Sequence, residues 1–433
     1  MLRLSGVPRH YAWGSTTAIP ELLGQTPDGE PVAELWFGAH ASSPSVLEDG
    51  RTLEDLLAED GEAQLGADVI ARFGEGLPYL LKILAAERPL SLQVHPNREQ
   101  ARVGFAVEEA AGLPLDSPER SYRDANHKPE VWFALGPVEA LCGFRAPRRA
   151  AELFEDLEAP LARSIAAMLR ADPTPSGVRT VFSALLGPRT RPDADAVAAL
   201  AEACRARLVS SSPSPRADGN VVLLQSEHPG DPGVAASLLL NPVSLQPGES
   251  VFIPAGGVHA LLHGTVVELQ ASSDNVLRAG LTTKHVDVPA LLATVDYVAA
   301  PPIRLAPETF HGSTRVFYAP VDDFELSVTT VEDGDAHPVP GRGPRIVLCV
   351  EGRVEVSGER ETIVAVGAPL AQDRDQLVEL SAHLRACLSI VDAAGRAQAT
   401  ERAPRHRRRP AVAAGGGPLS CRAARCRRGP PGR

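Results

Sequence analysis

The sequence predicts a mainly β protein that carries a helical insert. Short apolar runs typical of strands occur in residues 1–144, together with a few short helices, and return after residue 217. Between them, alanine and leucine recur at helical spacing through residues 148–208, and further strand patterns occupy residues 317–392. The predicted units are a discontinuous β domain of residues 1–144 and 218–300, a helical insert of residues 145–217, and a second β domain of residues 301–395.

Composition favours a cytoplasmic protein. Hydrophobic residues make up 44% of the 433 residues and aromatic residues only 4%, so the core must consist largely of Ala, Leu and Val. The formal net charge of −11 argues against nucleic-acid binding. The six cysteines show no paired spacing, which indicates reduced thiols, and neither a signal peptide nor a membrane span is predicted. We expect a monomer, although the sequence leaves an oligomer open.

The stretch Ser91-Leu92-Gln93-Val94-His95 has polar side chains at every second position. In a strand over residues 90–95, these three side chains share one face and the apolar ones share the other. A Gln oxygen and an imidazole nitrogen on one face can both bind a metal. An ordinary sheet with one face in solvent is the alternative explanation.

A further candidate ligand follows a tight turn downstream. Residues 248–259 predict a turn, a strand over 250–253, a Pro-Ala-Gly-Gly reversal and then His259. This spacing resembles the second characteristic motif of cupin β-barrels, in which such a histidine points into the barrel and binds a metal. A histidine without a metal at the same turn is the alternative.

Glu130 completes the candidate ligand set. It lies between Asn126-His127-Lys128-Pro129 and an apolar strand over residues 131–135, a place where an exposed Glu would also be ordinary. Two imidazoles and two side-chain oxygens suit one zinc, or another borderline divalent ion, per chain. The four predicted ligands are Gln93, His95, Glu130 and His259.

Six stretches, in the same order along the chain, resemble type I phosphomannose isomerases, which are zinc enzymes of the cupin superfamily. Together they span most of the sequence from residue 8 to residue 300. The stretches are residues 11–15 (YAWGS), 33–38 (AELWFG), 89–97, 126–130 (NHKPE), 247–259 and 273–282 (SDNVLRAGLT). The resemblance implies two cupin-like jelly-roll barrels, an all-α domain inserted in the first, and interconversion of mannose 6-phosphate and fructose 6-phosphate through a cis-enediol.

Charged residues inside apolar runs support a cleft. Lys82 lies in the run 79–84, where it needs an anion or a water-filled cavity nearby, unless its ammonium reaches solvent at a strand edge. Glu268 lies in the apolar strand 265–270, and Arg278 follows the next turn. A carboxylate and an arginine near a metal are the groups that sugar isomerisation needs, and a structural Glu–Arg pair is the alternative.

The resemblance also implies roles for individual residues. Glu268 is the leading candidate for the base, and Arg278 is the candidate electrophile over the enediolate. The other implied roles are phosphate binding by Lys82, Ser91 and Lys284, ring opening or proton relay by Lys128 and His127, and a further catalytic role for Asp274.

Two other functions compete with this one. A metal-dependent cupin oxygenase more often offers three histidines to iron, and the presence of Gln93, the lysines and Arg278 argues against it. A sugar-phosphate-binding cupin that has lost catalysis is the second alternative. The presence of every matched motif position argues against loss of catalysis.

The end of the chain changes in character. Residues 317–392 look like a second, degenerate cupin, with a hairpin of residues 345–350 and 354–356. The strand predicted over residues 364–370 lacks a following P-x-G-x-x-H motif, so no metal is expected there. Residues 396–433 are rich in arginine, proline and glycine, and we predict a disordered basic tail.

Two local features surround the candidate site. Asn97, with Gln100 at the reciprocal position, predicts the start of a helix. Residues 113–125 form a polar, proline-containing loop with room to act as a lid.

Overall fold

The first third of the chain forms strands with short helices between them. A computed structural model describes residues 2–310, 313–330, 343–353, 363–366, 377–381 and 387–394. Within these residues the protein is mostly β with helices, which confirms the predicted class. The elements before residue 145 are β1 (Leu2–Ser5), β2 (Val7–Arg9), α1 (Ala18–Leu22), β3 (Glu34–Phe37), β4 (Val46–Leu47), α2 (Leu53–Leu65), α3 (Ala67–Phe73), β5 (Tyr79–Ala86), β6 (Leu92–Val94), α4 (Arg98–Ala110), β7 (Glu130–Ala134) and β8 (Val138–Phe144).

A series of helices follows β8. They are α5 (Pro147–Glu155), α6 (Pro160–Ala171), α7 (Pro175–Leu186), α8 (Ala194–Ser210), α9 (Pro215–Glu227), α10 (Pro232–Ala236) and the 3₁₀ turn Ser237–Leu239. Proline is the first residue of five of these helices, a position where its missing N–H costs no hydrogen bond. The helical segment therefore continues past residue 217, where the sequence suggested its end, because Pro215 begins α9. Among the described residues, no helix has both the length and the apolar character needed to cross a bilayer.

Strands return at residue 240. The remaining elements are β9 (Leu240–Leu245), β10 (Ser250–Ile253), β11 (His259–Ala271), β12 (Leu277–Gly280), α11 (Val288–Thr294), β13 (Ile303–Leu305), β14 (Glu308–Phe310), β15 (Thr314–Phe317), β16 (Leu326–Thr330), β17 (Arg345–Cys349), β18 (Gly352–Arg353), β19 (Ile363–Val366), β20 (Leu377–Ser381) and β21 (Cys387–Ala394). Strand β10 has the predicted bounds. Strands β8 and β9, which precede and follow the helices, are paired with each other, with Val138 opposite Leu245. The helical segment is therefore inserted between two neighbouring strands of the sheet.

Strand β11 is the centre of the first sheet. From Gly264 onward it pairs with β5 and β7, whereas its first residues pair with β6 and β8. Its register against β8 shifts between Leu261 and His263, which marks a β-bulge. In the described residues the main path of this sheet is β13-β10-β7-β11-β5-β3-β2, and β6, β8, β9 and β12 are attached to it.

The second sheet takes strands from both ends of the chain. In the described residues its order is β14-β15-β16-β21-β20-β17-β19-β1-β4, with β1 parallel to β19. Strands β1 and β4 therefore belong to this sheet, which corrects the assignment of all of residues 1–144 to the first β domain. The rings of Phe133 and Phe317, 5.5 Å apart, lie in one apolar cluster shared by the two sheets.

Strand pairing near the end differs from the predicted hairpin. Strand β17 lies where the sequence placed it, but it pairs with β19 and β20, and β18 pairs with β21. Pairing partners of short apolar strands depend on the whole sheet, so the local pattern did not identify them. Residues 354–356 and 367–370 and the predicted tail 396–433 lie outside the described residues.

The two local predictions beside the site had different outcomes. Helix α4 begins as predicted, since the Asn97 and Gln100 side chains each accept a hydrogen bond of 2.9 Å from the other's backbone N–H. The loop of residues 113–125 is held together by contacts of its own, and its action as a lid stays a prediction. The buried Arg120 guanidinium donates to the carbonyl oxygens of Leu113 and Tyr122 within this loop.

Candidate active site

Three buried side chains from different strands converge at one point. His95 follows β6, Glu130 begins β7 and His259 begins β11. One ligand atom from each lies within 4.8 Å of the other two. The turn before β11 is held against the end of β6, because the N–H of Gly256 donates to the His95 carbonyl oxygen at 2.8 Å. Gly256 has φ of +82°, a conformation that favours glycine.

Backbone carbonyl groups fix both imidazoles. The Nδ1 atom of His95 lies 2.7 Å from the carbonyl oxygen of Asn275, and that of His259 lies 2.9 Å from the carbonyl oxygen of Gly257. Because a carbonyl oxygen only accepts, each Nδ1 carries the proton and each Nε2 presents a lone pair. Burial lowers the pKa of His95 to about 3 and lowers the pKa of His259, so both rings are neutral at pH 7.

These lone pairs face the Glu130 carboxylate. The Nε2 atoms of His95 and His259 lie 3.1 and 3.5 Å from the two Glu130 oxygens, yet none of these four atoms meets hydrogen-bond geometry with the described residues. Burial by itself raises the pKa of Glu130, but the adjacent Lys128 ammonium holds it well below its ordinary value. Buried lone pairs directed at a charged carboxylate repel unless a cation lies between them. Two neutral imidazoles and a carboxylate are a donor set that fits zinc.

Gln93 lies where it can supply a fourth ligand. Gln93 on β6 lies directly opposite His259 on the neighbouring strand β11 and opposite Arg278 on the other neighbour, β12. Because directly paired residues share a sheet face, the Gln93 amide lies on the face that carries His259. Gln93 is half-buried and lines the same cleft as Arg278.

A row of four paired residues runs along one side of the cleft, and all but the fully buried Trp132 line it. Trp36 on β3, Lys82 on β5, Glu268 on β11 and Trp132 on β7 are successive Cα partners. Lys82 Nζ lies 3.1 Å from Glu268 Oε1 and 4.5 Å from the Trp36 ring centre. Trp132 Nε1 donates to Glu268 Oε2 at 3.0 Å. Lys82, expected at the phosphate, is thus the ion-pair partner of Glu268.

The Lys82–Glu268 pair has unusual proton affinities. Burial raises the pKa of Glu268, and the negative charge of Glu130 adds to the effect. Burial by itself lowers the pKa of Lys82, but the carboxylates of Glu268 and Glu34 raise it above its ordinary value, so Lys82 stays charged. A carboxylate with raised proton affinity beside a permanent ammonium is suited to accept a proton from carbon.

The cleft has a volume of about 560 Å³ and also contains a positive region. Its lining includes the predicted residues Ser91, Arg278 and Lys284, and in addition Arg123. Burial and Arg123 lower the pKa of Arg278, and burial and Arg278 lower the pKa of Lys284, which places these charges near one another. Arg123 is not among the residues predicted from the sequence, where its only signal is its position three residues before Asn126.

The structure separates His127 from the other candidate residues. Its Nε2 lies 3.1 Å from both carboxylate oxygens of Asp323, and it lines a separate groove of about 570 Å³. Lys128 lines the cleft, with Nζ 3.1 Å from Glu130 Oε1. Asp274 also lines the cleft, 3.7 Å from Arg123 Nη1.

Two imidazole lone pairs aimed at one buried carboxylate are the hallmark of a site for a divalent metal. The ion pair and the positive region lie in the cleft next to this site, so the class of protein is a β-sheet metalloenzyme that acts on a small anionic molecule.

Comparison with known proteins identifies the family. Residues 1–147 match the model of the phosphomannose isomerase type I catalytic domain. Mannose-6-phosphate isomerase of Escherichia coli is 39% identical over 358 residues, covering 81% of this chain and 89% of that protein. The crystal structure of the Salmonella typhimurium enzyme bound to its substrate (f6p) and zinc matches with a TM-score of 0.72 and 38% identity, covering 81% of this chain and 88% of that one. The chain belongs to the type I phosphomannose isomerase family.

Proposed function

We propose that this protein interconverts D-mannose 6-phosphate and D-fructose 6-phosphate and requires zinc. The observation that carries the proposal is the convergence of His95, Glu130 and His259 directly beside the cleft that holds the Lys82–Glu268 pair, since Lys128 of that cleft lies 3.1 Å from Glu130. Membership of the family supports the same reaction. The metal would be held by His95, Glu130 and His259, with Gln93 as the fourth ligand. When bound, zinc polarises the sugar oxygens and stabilises negative charge that develops on them.

The chain's own residues supply the proton transfer. In the proposal, the Glu268 carboxylate takes the proton from C2 of the open-chain aldose, the C2–H electron pair becomes the C1–C2 double bond, and the C1=O π pair moves onto O1. O1 takes up a proton, which gives the cis-enediol, and the C2 hydroxyl gives one up as the ketone forms, with Lys128 and Asp274 as the candidates for this relay. The same carboxyl group returns the proton to C1, which forms the ketose. Lys82 and Trp132 hold Glu268 in place, as their contacts of 3.1 and 3.0 Å indicate.

Other cleft residues have supporting roles. Arg278, on the sheet face of Gln93, donates hydrogen bonds to the enediolate oxygens. Lys128 and Asp274 line the cleft and are the candidates for ring opening and proton relay. Ser91 and Lys284 bind the phosphate. Lys82 instead holds Glu268 in place, because the two side chains form an ion pair. His127 is left without a catalytic role, because it bonds Asp323 and lines the separate groove.

The proposal includes a finer description of the fold and state of the protein. The first sheet corresponds to a catalytic cupin barrel of residues up to 144 and from 240 to 300, with an inserted all-α domain between them. The described residues from 308 to 394, together with β1 and β4, correspond to a second cupin-like jelly roll without a metal, whereas β13 pairs with β10 in the first sheet. We expect a cytoplasmic monomer whose partner is the sugar phosphate, in keeping with the buried free thiols of Cys142, Cys204 and Cys349.

A coupled assay that follows fructose 6-phosphate formed from mannose 6-phosphate tests the function. Native protein should form the ketose, and the rate should vanish with a chelator and return with added zinc. Binding of mannose 6-phosphate without turnover would favour the non-catalytic cupin. Oxygen consumption with iron would favour the oxygenase.

A further inference from the structure

The cations that line the cleft differ in how their charge is balanced. Lys82 and Lys128 are only 5% exposed, and each lies 3.1 Å from a carboxylate oxygen. In the part of the chain that the structure describes, Arg278 and Lys284 have no carboxylate within 4.0 Å. Arg123 has the Asp274 carboxylate at 3.7 Å, and its side chain is 41% exposed. The unbalanced positive charge therefore lies where Arg123, Arg278 and Lys284 meet.

The remaining arginines of the cleft are committed to other partners. Arg88 bonds Glu227 at 2.6 Å, and Arg120 bonds Glu109 at 2.6 Å. The Arg9 guanidinium lies over the Trp36 ring, 5.3 Å from its centre, and donates to Ser43 Oγ. Of Arg123, Arg278 and Lys284, Arg123 is the one that has no proposed role so far.

The backbone of Arg123 is fixed relative to the metal ligands. Its N–H donates to Asn275 Oδ1 at 2.7 Å, and the Asn275 side chain also donates to the carbonyl oxygens of Asp124 and Asn126. Asn275 is fully buried, and its own carbonyl oxygen accepts the hydrogen bond from His95 Nδ1. One residue thus ties the loop that carries Arg123 to a ligand of the metal centre.

The local charge matches one functional group of the substrate. Among the described residues, Asp274 carries the one carboxylate within 4.0 Å of these three cations, which leaves two positive charges, and a phosphate monoester carries roughly −1.5 to −2 at pH 7. Burial lowers the pKa of Arg278 and Lys284, and the Arg123 charge lowers both further, so a dianion bound among them would relieve mutual repulsion. An arginine fork also suits bidentate bonding to phosphate oxygens.

We propose that Arg123 binds the phosphate group of the sugar substrate together with Lys284, and so directs the C1–C2 end of the sugar toward His95, Glu130 and His259. This inference rests on the proposed isomerase function. It adds a substrate-binding residue and an orientation of the substrate along the cleft.

Calorimetry with inorganic phosphate tests the proposal without turnover. Arg123→Gln should raise the Kd for phosphate roughly 10- to 100-fold, the range for losing one charged hydrogen-bond donor. Arg102→Gln is the matched control, because Arg102 is exposed and pairs with Glu99 on α4. Arg123→Lys keeps the charge without the fork and should fall between the two. Unchanged phosphate affinity in Arg123→Gln would overturn the proposal.

Steady-state kinetics provide the second readout. In Arg123→Gln, KM for mannose 6-phosphate should rise by a similar factor, with a much smaller change in kcat. The ratio of kcat/KM for mannose 6-phosphate to that for unphosphorylated mannose should fall roughly 10- to 100-fold, as for one lost charged donor. An equal loss for both sugars would mean a merely structural role. If native protein does not isomerise either sugar, the proposed function fails, while the phosphate calorimetry still decides the role of Arg123.

Discussion

The Nζ atom of Lys82 and the Oε1 atom of Glu268 lie 3.1 Å apart in a wall of the cleft, and their side chains are only 7% and 4% exposed. Their strands are directly paired, so the ion pair is a property of the register between β5 and β11. Removing one charged side chain of such a pair leaves the other charge buried without a counter-charge.

The first prediction concerns the stability of this pair. Lys82→Met should lower the free energy of unfolding by about 3–5 kcal/mol, because Glu268 loses its counter-charge. The double variant Lys82→Met/Glu268→Gln should recover much of that loss, since neither charge remains. Urea unfolding measures both. A single variant as stable as the native protein would show that the pair is screened by water.

The second prediction separates binding from chemistry at Glu268. Glu268→Gln should bind mannose 6-phosphate but lose at least roughly 10²–10⁴-fold in kcat, since the amide keeps the shape and cannot accept a proton. Hydrogen exchange at C2 in heavy water should stop. Glu54→Gln, on the exposed side of α2, is the control. Exchange at the native rate in Glu268→Gln would place the base elsewhere, with Lys128 or Asp274 next.

The third prediction concerns the metal. His259→Ala should remove most bound zinc and all activity, because one of the converging ligand atoms disappears. His263→Ala is a matched control on the same strand, where that side chain is exposed. Elemental analysis measures the zinc content of both variants. Full zinc content in His259→Ala would mean that the ion binds at another place.

The fourth prediction concerns Arg278. Arg278→Ala should lower kcat roughly 10²–10³-fold, the usual cost of losing a preorganised donor to a developing oxyanion. Zinc content should stay native, because Arg278 only neighbours Gln93 in the sheet. Arg163→Ala, on the exposed face of α6, should have no effect. A large rise in KM with native kcat would assign Arg278 to binding instead.

The fifth prediction is a pH dependence set by Lys284. Burial and the Arg278 charge lower the pKa of Lys284, so it loses its positive charge at a lower pH than an ordinary lysine. KM for mannose 6-phosphate should therefore begin to rise below pH ~10.4, the usual lysine value. Lys284→Arg should abolish this alkaline rise, because arginine stays protonated. A native KM that is flat up to that pH would contradict the assignment.

The proposed ligands could be located from the sequence because their positions follow local rules. Alternation along the 90–95 stretch placed Gln93 and His95 on one face, and turn chemistry placed His259 at the start of a strand. The same rules predicted the start of α4 at Asn97. Each of these features depends on a few neighbouring residues.

The arrangement around Glu268 could not be predicted in this way. His259 and Glu268 are nine residues apart on one strand, and strict alternation would place them on opposite faces. The bulge near Leu261 alters that alternation, and Trp132 contacts both side chains: its ring centre lies 5.6 Å from that of His259, and its Nε1 bonds Glu268. The ion pair of Lys82 likewise depends on the register between β5 and β11. The position of Arg123 depends on the hydrogen bond of its loop to the distant Asn275.

Strand β11 also sets the order in which the site is completed during synthesis. Gln93, His95 and Glu130 precede the helices α5–α10, whereas His259 and Glu268 follow them. At 5–20 residues per second, a ribosome needs roughly 7–28 s to pass from residue 130 to residue 271. A nascent chain therefore carries only three of the four proposed metal ligands for that interval. With the proposed ligand set, zinc binding by all four side chains has to wait for the synthesis of β11.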